Sequence, residues 1–213
     1  MNDIAIYGAG GFGHEVACII NAINKIRPTW NLIGFFDDGC AVGTSNYYGK
    51  IIGKMDTLNH FPERIAIVIA IASSKILEDL TSKITNHNLY FPNIIAPNNL
   101  FFDYESVVWG IGNVLGFGVR ISCGVKIGNF NILNGCVSLG HDVDIGNHNV
   151  MQPETRISGG VFIGNNNFFG ARSLVLQRLK IGNHTRIGVG SVIIRNTKDG
   201  TTYFGNPAKK IEE

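Results

Sequence analysis

Large apolar residues recur at every sixth position through the second half of the chain. From Leu115 to Ile193, every sixth residue is Leu, Ile, Met, Phe or Val, and a glycine often follows it. An α-helix has a period of 3.6 residues and a half-buried strand a period of 2, so neither keeps this register. The pattern predicts a hexapeptide repeat, in which three units form one triangular coil of a parallel β-helix.

Residues eighteen positions apart should then lie one above another, about 4.8 Å apart. Two columns of asparagine have this spacing, one from Asn113 to Asn167 and one from Asn129 to Asn183. We expect both to be structural, because asparagine forms amide ladders and tolerates the left-handed backbone of tight corners. No unit between Leu115 and Ile193 is interrupted, so an active site would have to use the faces of the prism, shared between subunits.

The first hundred residues instead alternate apolar strands with helical patterns. Residues 2–7 predict a strand, 8–13 a glycine turn, 14–25 a helix and 32–36 a strand that ends in two acids. A strand over 64–72, a helix over 75–87 and a last short strand at 94–95 follow. Strand, glycine turn, helix, strand and acid are typical of one Rossmann-like mononucleotide-binding half. A second half does not fit, which disfavours a dehydrogenase.

We therefore predict two domains. Residues 1–98 form an α/β Rossmann-like domain that binds a nucleotide, and residues 99–213 form the β-helix with a C-terminal tail.

Composition narrows the class of protein further. The net charge of +2 is too mild to indicate nucleic acid, and no apolar stretch is long enough to span a membrane. Cys18, Cys40, Cys123 and Cys136 form neither a CxxC pair nor a zinc-spaced cluster, which disfavours disulfide and zinc frameworks. With no apolar leader before the first strand, we expect a soluble, cytoplasmic protein.

Six motifs together resemble one family. They are GAGGFGHEV at 8–16, FFDD at 35–38, GKIIG at 49–53, FPNIIAP at 91–97, LGHDVDIG at 139–146 and GNPAK at 205–209. Over nearly its whole length the chain resembles the sugar O-acyltransferases of the sialic acid O-acetyltransferase type. These include N-acetyltransferases that act on nucleotide-linked 4-amino-4,6-dideoxy sugars. The resemblance implies an N-terminal domain that binds the nucleotide sugar and a left-handed β-helix. It also implies a homotrimer with its active site between subunits, and acetyl-CoA in the groove between adjacent helices. We expect no metal.

The resemblance also assigns a general base, His141. Asp142 beside it can fix the tautomer of the ring. The imidazole would take a proton as a sugar amine or hydroxyl attacks the thioester, an effect worth typically 10²–10⁴-fold. In the family, a glycine one coil beyond the base donates its N–H to the thioester oxygen, and that role falls on Gly159. The alternative for Gly159 is a glycine required only by the turn.

Other histidines and one cysteine allow rival chemistry. Cys123, one coil below His141, could be a nucleophile that forms an acyl-enzyme, but free cysteine more often packs as a small apolar residue. A metal site from His141, His148 and a third histidine, as in carbonic anhydrases with this repeat, would need a triad that converges across subunits. We expect His148 and His184 to be solvated corner residues.

Two further sets of residues are expected to bind the substrates. The glycine loop, the histidine after it and the two acids would hold the nucleotide sugar, namely Gly8, Gly10, Gly11, Gly13, His14, Asp37 and Asp38. Small corner residues would let the pantetheine arm lie close to the coils, namely Gly160, Gly170, Ala171, Gly188 and Gly190. Between Arg156 and Lys210, nine Lys or Arg residues stand against one acid, Asp199, and offer counter-charges to the CoA phosphates.

Three functions are consistent with these features. The first is N-acetylation of a nucleotide-linked 4-amino-dideoxy sugar for surface glycan synthesis, and the second is O-acetylation of a sugar hydroxyl, as in sialic acid. The third is a catalytically silent scaffold that binds a nucleotide sugar. The glycine loop with Asp37 favours a nucleotide-bearing acceptor, and His141 with Asp142 and Gly159 disfavours the scaffold.

Overall fold

The computed structural model describes residues 1–211, which form an α/β unit followed by a prism of short parallel strands. The elements of the α/β unit are β1 (Asn2–Tyr7), α1 (Gly11–Ile26), β2 (Trp30–Phe36), β3 (Ser45–Asn46), β4 (Gly49–Gly53), α2 (Met55–Asn59), β5 (Ile65–Ile69), α3 (Ser74–Lys83) and β6 (Leu89–Tyr90). The strands lie in the order β3-β4-β2-β1-β5-β6 and are parallel except for the β3–β4 hairpin.

Burial explains the central strands and the helix that covers them. β5 is buried at all five residues, as expected for a parallel strand covered on both faces. α1 buries Val16, Ile19 and Ile20, whose spacing of three and four residues places them on one face. α3 ends at Lys83, earlier than the sequence pattern predicts, and the Asn86 side chain then donates to the carbonyls of two residues in the α2 region. Within residues 1–211, no helix has the length and apolar character needed to cross a bilayer.

The prism is built from strands of mostly two residues joined by tight corners. In chain order they are β7 (Ile94–Ile95), β8 (Leu100–Phe101), β9 (Val108–Trp109), β10 (Val114–Leu115), β11 (Arg120–Ile121), β12 (Lys126–Ile127), β13 (Ile132–Leu133), β14 (Ser138–Leu139), β15 (Asp144–Ile145), β16 (Val150–Met151), β17 (Arg156–Ile157), β18 (Phe162–Ile163), β19 (Phe168–Phe169), β20 (Leu174–Val175), β21 (Lys180–Ile181), β22 (Arg186–Ile187), β23 (Val192–Ile193), β24 (Thr202–Gly205) and β25 (Ala208–Ile211). A 3-10 turn, Tyr104–Ser106, lies between β8 and β9.

These strands stack into three sheets that form the faces of the prism. The first face contains β7, β10, β13, β16, β19, β22 and β24, with β25 antiparallel at its end. The second face runs from β8 to β23 and the third from β9 to β21. We call the turns from first to second face the first corner, those from second to third the second corner, and those from third to first the third corner.

The predicted repeat register is confirmed. Leu115 pairs with Leu133 and Ile121 with Leu139, each eighteen residues later, and these inward side chains are buried. The asparagine columns are structural, as expected. Buried Asn131 donates to Asn113 and to the Gly146 carbonyl, and its own oxygen accepts from Asn149. Because each amide satisfies backbone groups in neighbouring coils, the ladder stabilises the interior of the turns.

The prism begins with Ile94–Ile95, which pairs with β10. The sequence pattern instead assigns this strand to the N-terminal domain, as its last strand. Asn93 forms the first rung of the buried asparagine column, since its oxygen accepts from Asn113 and its amide donates to Gly110. Asn93 and Asn113 are twenty residues apart and not eighteen, so a search for the eighteen-residue spacing does not find this coil.

The α/β unit covers the first face of the prism. Outward-facing Val114, Ile132 and Val150 are buried in the same hydrophobic cluster as α1 and β1. At the third corner, the Asn166 amide donates to Glu78 of α3 at 2.8 Å. The second corner consequently lies on the side of the prism opposite the covered face.

His148, on the third corner, is half-buried between the two units and is not the solvated residue that the sequence suggests. Its ring stacks on Phe130 at 5.6 Å, and its Nε2 lies 3.0 Å from the Thr81 hydroxyl. That hydroxyl donates to the Glu78 carbonyl, so Nε2 is the donor in the second contact. Burial lowers the pKa of His148, and the nearby charge of Glu78 opposes the shift.

This burial predicts a pH-dependent stability. The ordinary histidine pKa is 6.5, so below that pH the unfolded chain takes up a proton that folded His148 resists, and the folded state loses stability. Urea unfolding at about pH 7.5 and about pH 5 should show a drop in the free energy of unfolding that is smaller in His148→Gln. His184→Gln, at an exposed residue with a similar backbone conformation, should keep the wild-type drop. An equal drop in wild type and His148→Gln would contradict the assignment.

Candidate active site

His141 and Asp142 form a dyad on the second corner, directly after β14. His141 Nδ1 lies 2.8 Å from Asp142 Oδ2, and both side chains are exposed. An ionised carboxylate only accepts hydrogen bonds, so Nδ1 carries the shared proton and a neutral ring presents its lone pair at Nε2. The dyad can therefore take a proton from a group that approaches Nε2.

Gly159 lies one coil above His141, and its missing side chain makes room for the imidazole. A Cβ atom on Gly159 would lie 2.5 Å from Nε2 and 2.7 Å from Cε1 of His141. The left-handed backbone of this corner belongs to Gly160, at φ +67°, and not to Gly159. The ring, and not the turn, accordingly explains glycine at 159. Within residues 1–211, the N–H of Gly159 has no hydrogen-bond partner.

The glycine loop between β1 and α1 contains two kinds of glycine. Gly8 and Gly13 are structural: a Cβ on Gly8 would lie 2.7 Å from the Ala70 carbonyl oxygen, and one on Gly13 would overlap the Gly8 oxygen. Gly10 and Gly11 have nothing within 4 Å of a Cβ position and are exposed. The open pair stands at the N-terminus of the 16-residue α1, where free N–H groups favour an anion.

The two acids after β2 brace this loop. Asp37 accepts from the N–H groups of Ala9 at 2.7 Å and Gly39 at 2.8 Å. Asp38 accepts from the Tyr7 hydroxyl at 2.6 Å and the Met55 N–H at 3.0 Å, and these bonds hold its pKa below the usual range. Burial raises the pKa of Tyr7, and the hydrogen bond to Asp38 raises it further. Sequence reasoning missed Tyr7, although it is the last residue before the glycine turn.

The His14 side chain, which follows the glycine loop, lies beside the β3–β4 hairpin. Its ring lies 5.4 Å from that of Tyr48, whose hydroxyl accepts from the Cys18 thiol at 3.2 Å. The Nε2 atom of His14 is buried and has no hydrogen-bond partner within residues 1–211. No sequence signal identified Tyr48, because only the sheet order places that hairpin beside α1.

Within one chain, the glycine loop and the His141–Asp142 dyad lie on opposite sides of the prism. The α/β unit covers the first face, whereas His141 and Gly160 are on the second corner. The other small residues expected to contact CoA are on the first corner, across the second face: Gly170, Ala171, Gly188 and Gly190.

Two cavities flank the second face. One, of about 440 Å³, is lined by Arg120, Arg156 and Arg172, the last of which is ion-paired with Glu154 and lowers its pKa. The other, of about 320 Å³, lies at the end of the prism and is lined by apolar residues with Arg195 and Lys209. Arg195 belongs to the same corner column as His141 and Gly159.

The rival sites gain no support from the geometry. Cys123 is exposed and makes no hydrogen bond to His141 among the described residues. His148 is on a different corner from His141, with its ring against Phe130. Within residues 1–211, no three His, Cys, Asp or Glu side chains are grouped so as to hold a metal ion.

Comparison with known proteins finds a family match for the N-terminal residues and several solved structures with the same fold. Residues 3–84 match the PglD N-terminal domain, and no curated protein matches the chain. The acetyltransferase domain of PglB from Neisseria gonorrhoeae FA1090, solved with acetyl coenzyme A, is 26% identical with a TM-score of 0.88 over 99% of both chains. WeeI from Acinetobacter baumannii AYE is 27% identical with a TM-score of 0.86, over 98% of this chain and 99% of that one.

A variant of perosamine N-acetyltransferase from Caulobacter crescentus, in complex with CoA and GDP-perosamine, shares the fold. Its TM-score is 0.89 at 22% identity, over 100% of this chain and 98% of that one. The prism is thus a left-handed β-helix, as the resemblance implied. Residues 3–84 are thus similar to the PglD N-terminal domain, and nearly the whole chain shares the fold of the acetyltransferase domain of PglB and of WeeI.

Proposed function

We propose that this protein transfers the acetyl group of acetyl-CoA to the amine of a nucleotide-linked 4-amino-4,6-dideoxy sugar, for surface glycan synthesis. One observation carries the proposal: Nε2 of the His141–Asp142 dyad lies against Gly159, whose N–H is free within the described residues. Similar solved proteins bound to acetyl coenzyme A, or to CoA and GDP-perosamine, support the two substrates.

The chemical step is a direct transfer. The sugar amine attacks the thioester carbon as His141 Nε2 takes a proton from the amine, and the Gly159 N–H donates to the oxygen as it becomes negative. The carbon–sulfur bond then breaks, the C=O bond re-forms, and the imidazolium returns its proton to the sulfur of CoA. Asp142 keeps Nδ1 protonated throughout. A single backbone oxyanion donor is worth about 10²–10³ in rate.

Acetyl-CoA would lie along the second corner. Its thioester would lie at Gly159 and Gly160. Arg195 follows in the same corner column two coils later, about 10 Å away at 4.8 Å a coil. The cavity beside Arg195 and Lys209 offers apolar walls and two cations, which suits the nucleotide end of CoA.

The nucleotide sugar would bind at the glycine loop. Gly10 and Gly11 leave the N-terminus of α1 open to its phosphates, while Gly8 and Gly13 shape the turn. Asp37 and Asp38 hold the loop through Ala9 and Tyr7, with further lone pairs available to sugar or base. His14 offers the loop an unsatisfied ring nitrogen. 

A homotrimer would complete the site. Because the loop and His141 stand on opposite sides of one prism, the sugar held by one copy would meet the base of the next. The first-corner residues, from Gly170 to Gly190, would then border the pantetheine arm bound to a neighbouring second corner.

Release of free thiol from acetyl-CoA should identify the acceptor. Across UDP-, GDP- and dTDP-linked 4-amino sugars and free sialic acid, we expect turnover of one nucleotide-linked amino sugar. His141→Asn should lower kcat by about 10²–10⁴-fold, the contribution of a general base, and leave acetyl-CoA affinity within about threefold. Activity on sialic acid alone would indicate O-acetylation, and no turnover of any acceptor would indicate a silent scaffold.

Gly159→Ala tests the contact between the base and the oxyanion donor. The new methyl group would collide with the imidazole, so kcat should fall by about 10-fold or more while the fold persists. Gly135→Ala is the matched control, because Gly135 holds the same hexapeptide position and a Cβ there would lie 3.5 Å from its nearest neighbour. Steady-state kinetics on both variants would contradict the assignment if they lost activity equally.

Co-expression of two inactive variants tests the shared site. His141→Asn lacks the base, and Gly11→Asp adds a negative charge where the phosphates would bind. If the loop of one copy serves the His141 of the next, random mixed oligomers should recover about a quarter of wild-type activity. Activity no greater than the sum of the separate variants would show that each loop serves its own chain.

A further inference from the structure

We infer that Gly124 is a positioning residue for the dyad, because its missing side chain is what lets the Asp142 carboxylate reach His141. The inference rests on the proposed function for its catalytic meaning, but its geometry stands apart from any substrate. Gly124 lies on the second corner, one coil below Asp142, in the same column.

The carboxylate of Asp142 occupies the space that a side chain at 124 would fill. A Cβ atom on Gly124 would lie 2.6 Å from Asp142 Oδ1. The backbone cannot easily move apart to relieve that contact, because the Asp142 N–H donates to the Cys123 carbonyl at 2.9 Å. From this position the other oxygen, Oδ2, reaches His141 Nδ1 at 2.8 Å.

The left-handed backbone at this position does not by itself require glycine. Gly124 has φ +66°, but nine non-glycine residues have φ between 52° and 63° at the equivalent corner position: Phe130, Cys136, Asp142, His148, Glu154, Asn166, Arg172, Arg178 and His184. A side chain is therefore tolerated in this conformation wherever space allows. At 124 the neighbour that denies the space is the carboxylate of the dyad.

Two glycines thus bracket the dyad from opposite sides. Gly124 beneath makes room for the carboxylate, and Gly159 above makes room for the imidazole. A methyl group at 124 would turn Asp142 away and break its bond to Nδ1. Without that acceptor the imidazole can carry its proton on Nε2, where it no longer accepts one from an attacking amine.

Gly124→Ala should therefore behave as a loss of Asp142. We expect kcat to fall by about 10-fold or more, and by no more than the 10²–10⁴-fold that a general base contributes in full, with KM for acetyl-CoA within about threefold. The ¹⁵N shifts of the His141 ring should show the proton partly transferred from Nδ1 to Nε2, as in Asp142→Asn. Gly200→Ala controls for strain, because Gly200 has φ +61° and open space around a Cβ position.

A double variant keeps the test valid if Gly124→Ala folds poorly. Asp142→Ser removes the carboxylate that a methyl group would strike. Adding Gly124→Ala to it should cause no further loss of kcat, and no more loss of folding stability than Gly200→Ala causes. An additional loss of kcat in the double variant, or a wild-type ¹⁵N pattern in Gly124→Ala, would overturn the inference. If wild type transfers no acetyl group yet the ¹⁵N pattern still changes in Gly124→Ala, the proposed function fails and the positioning role stands.

Discussion

Backbone hydrogen bonds between successive coils are the constraint on which the rest of this structure depends. The N–H of Gly140 donates to the Ile157 carbonyl and that of Gly160 to the His141 carbonyl, both at 2.8 Å, and similar bonds recur along the prism. They hold residues eighteen apart in vertical columns. Apolar residues of one column close the core, and asparagines of another satisfy the buried turns. The dyad and Gly159 are neighbours for the same reason.

Such close stacking makes missing side chains as important as those present. Coils about 4.8 Å apart leave little space between side chains of one column. On the second corner a large group repeatedly faces a glycine: His141 faces Gly159, Asp142 faces Gly124, and Arg178 approaches Gly160. The candidate catalytic side chains thus depend on glycines that leave space for them at specific positions of an otherwise regular repeat.

The position of the α/β unit imposes a second constraint. By burying the outward residues of the first face, it places the glycine loop and the second corner on opposite sides of one chain. This separation is the reason the proposed function includes an oligomer. The hydrogen bonds of Asp37 to Ala9 and of Asp38 to Tyr7 hold the loop in this position.

The sequence by itself determined the prism, its register, its asparagine ladder and the alignment of His141 with Gly159. It could do so because a fixed period converts spacing along the chain directly into contact in space. Only the tertiary structure decided that Ile94–Ile95 starts the prism and that His148 is half-buried. It also decided that His14 contacts Tyr48. These features depend on how separate elements pack. The local sequence of one element does not show which other element it will contact.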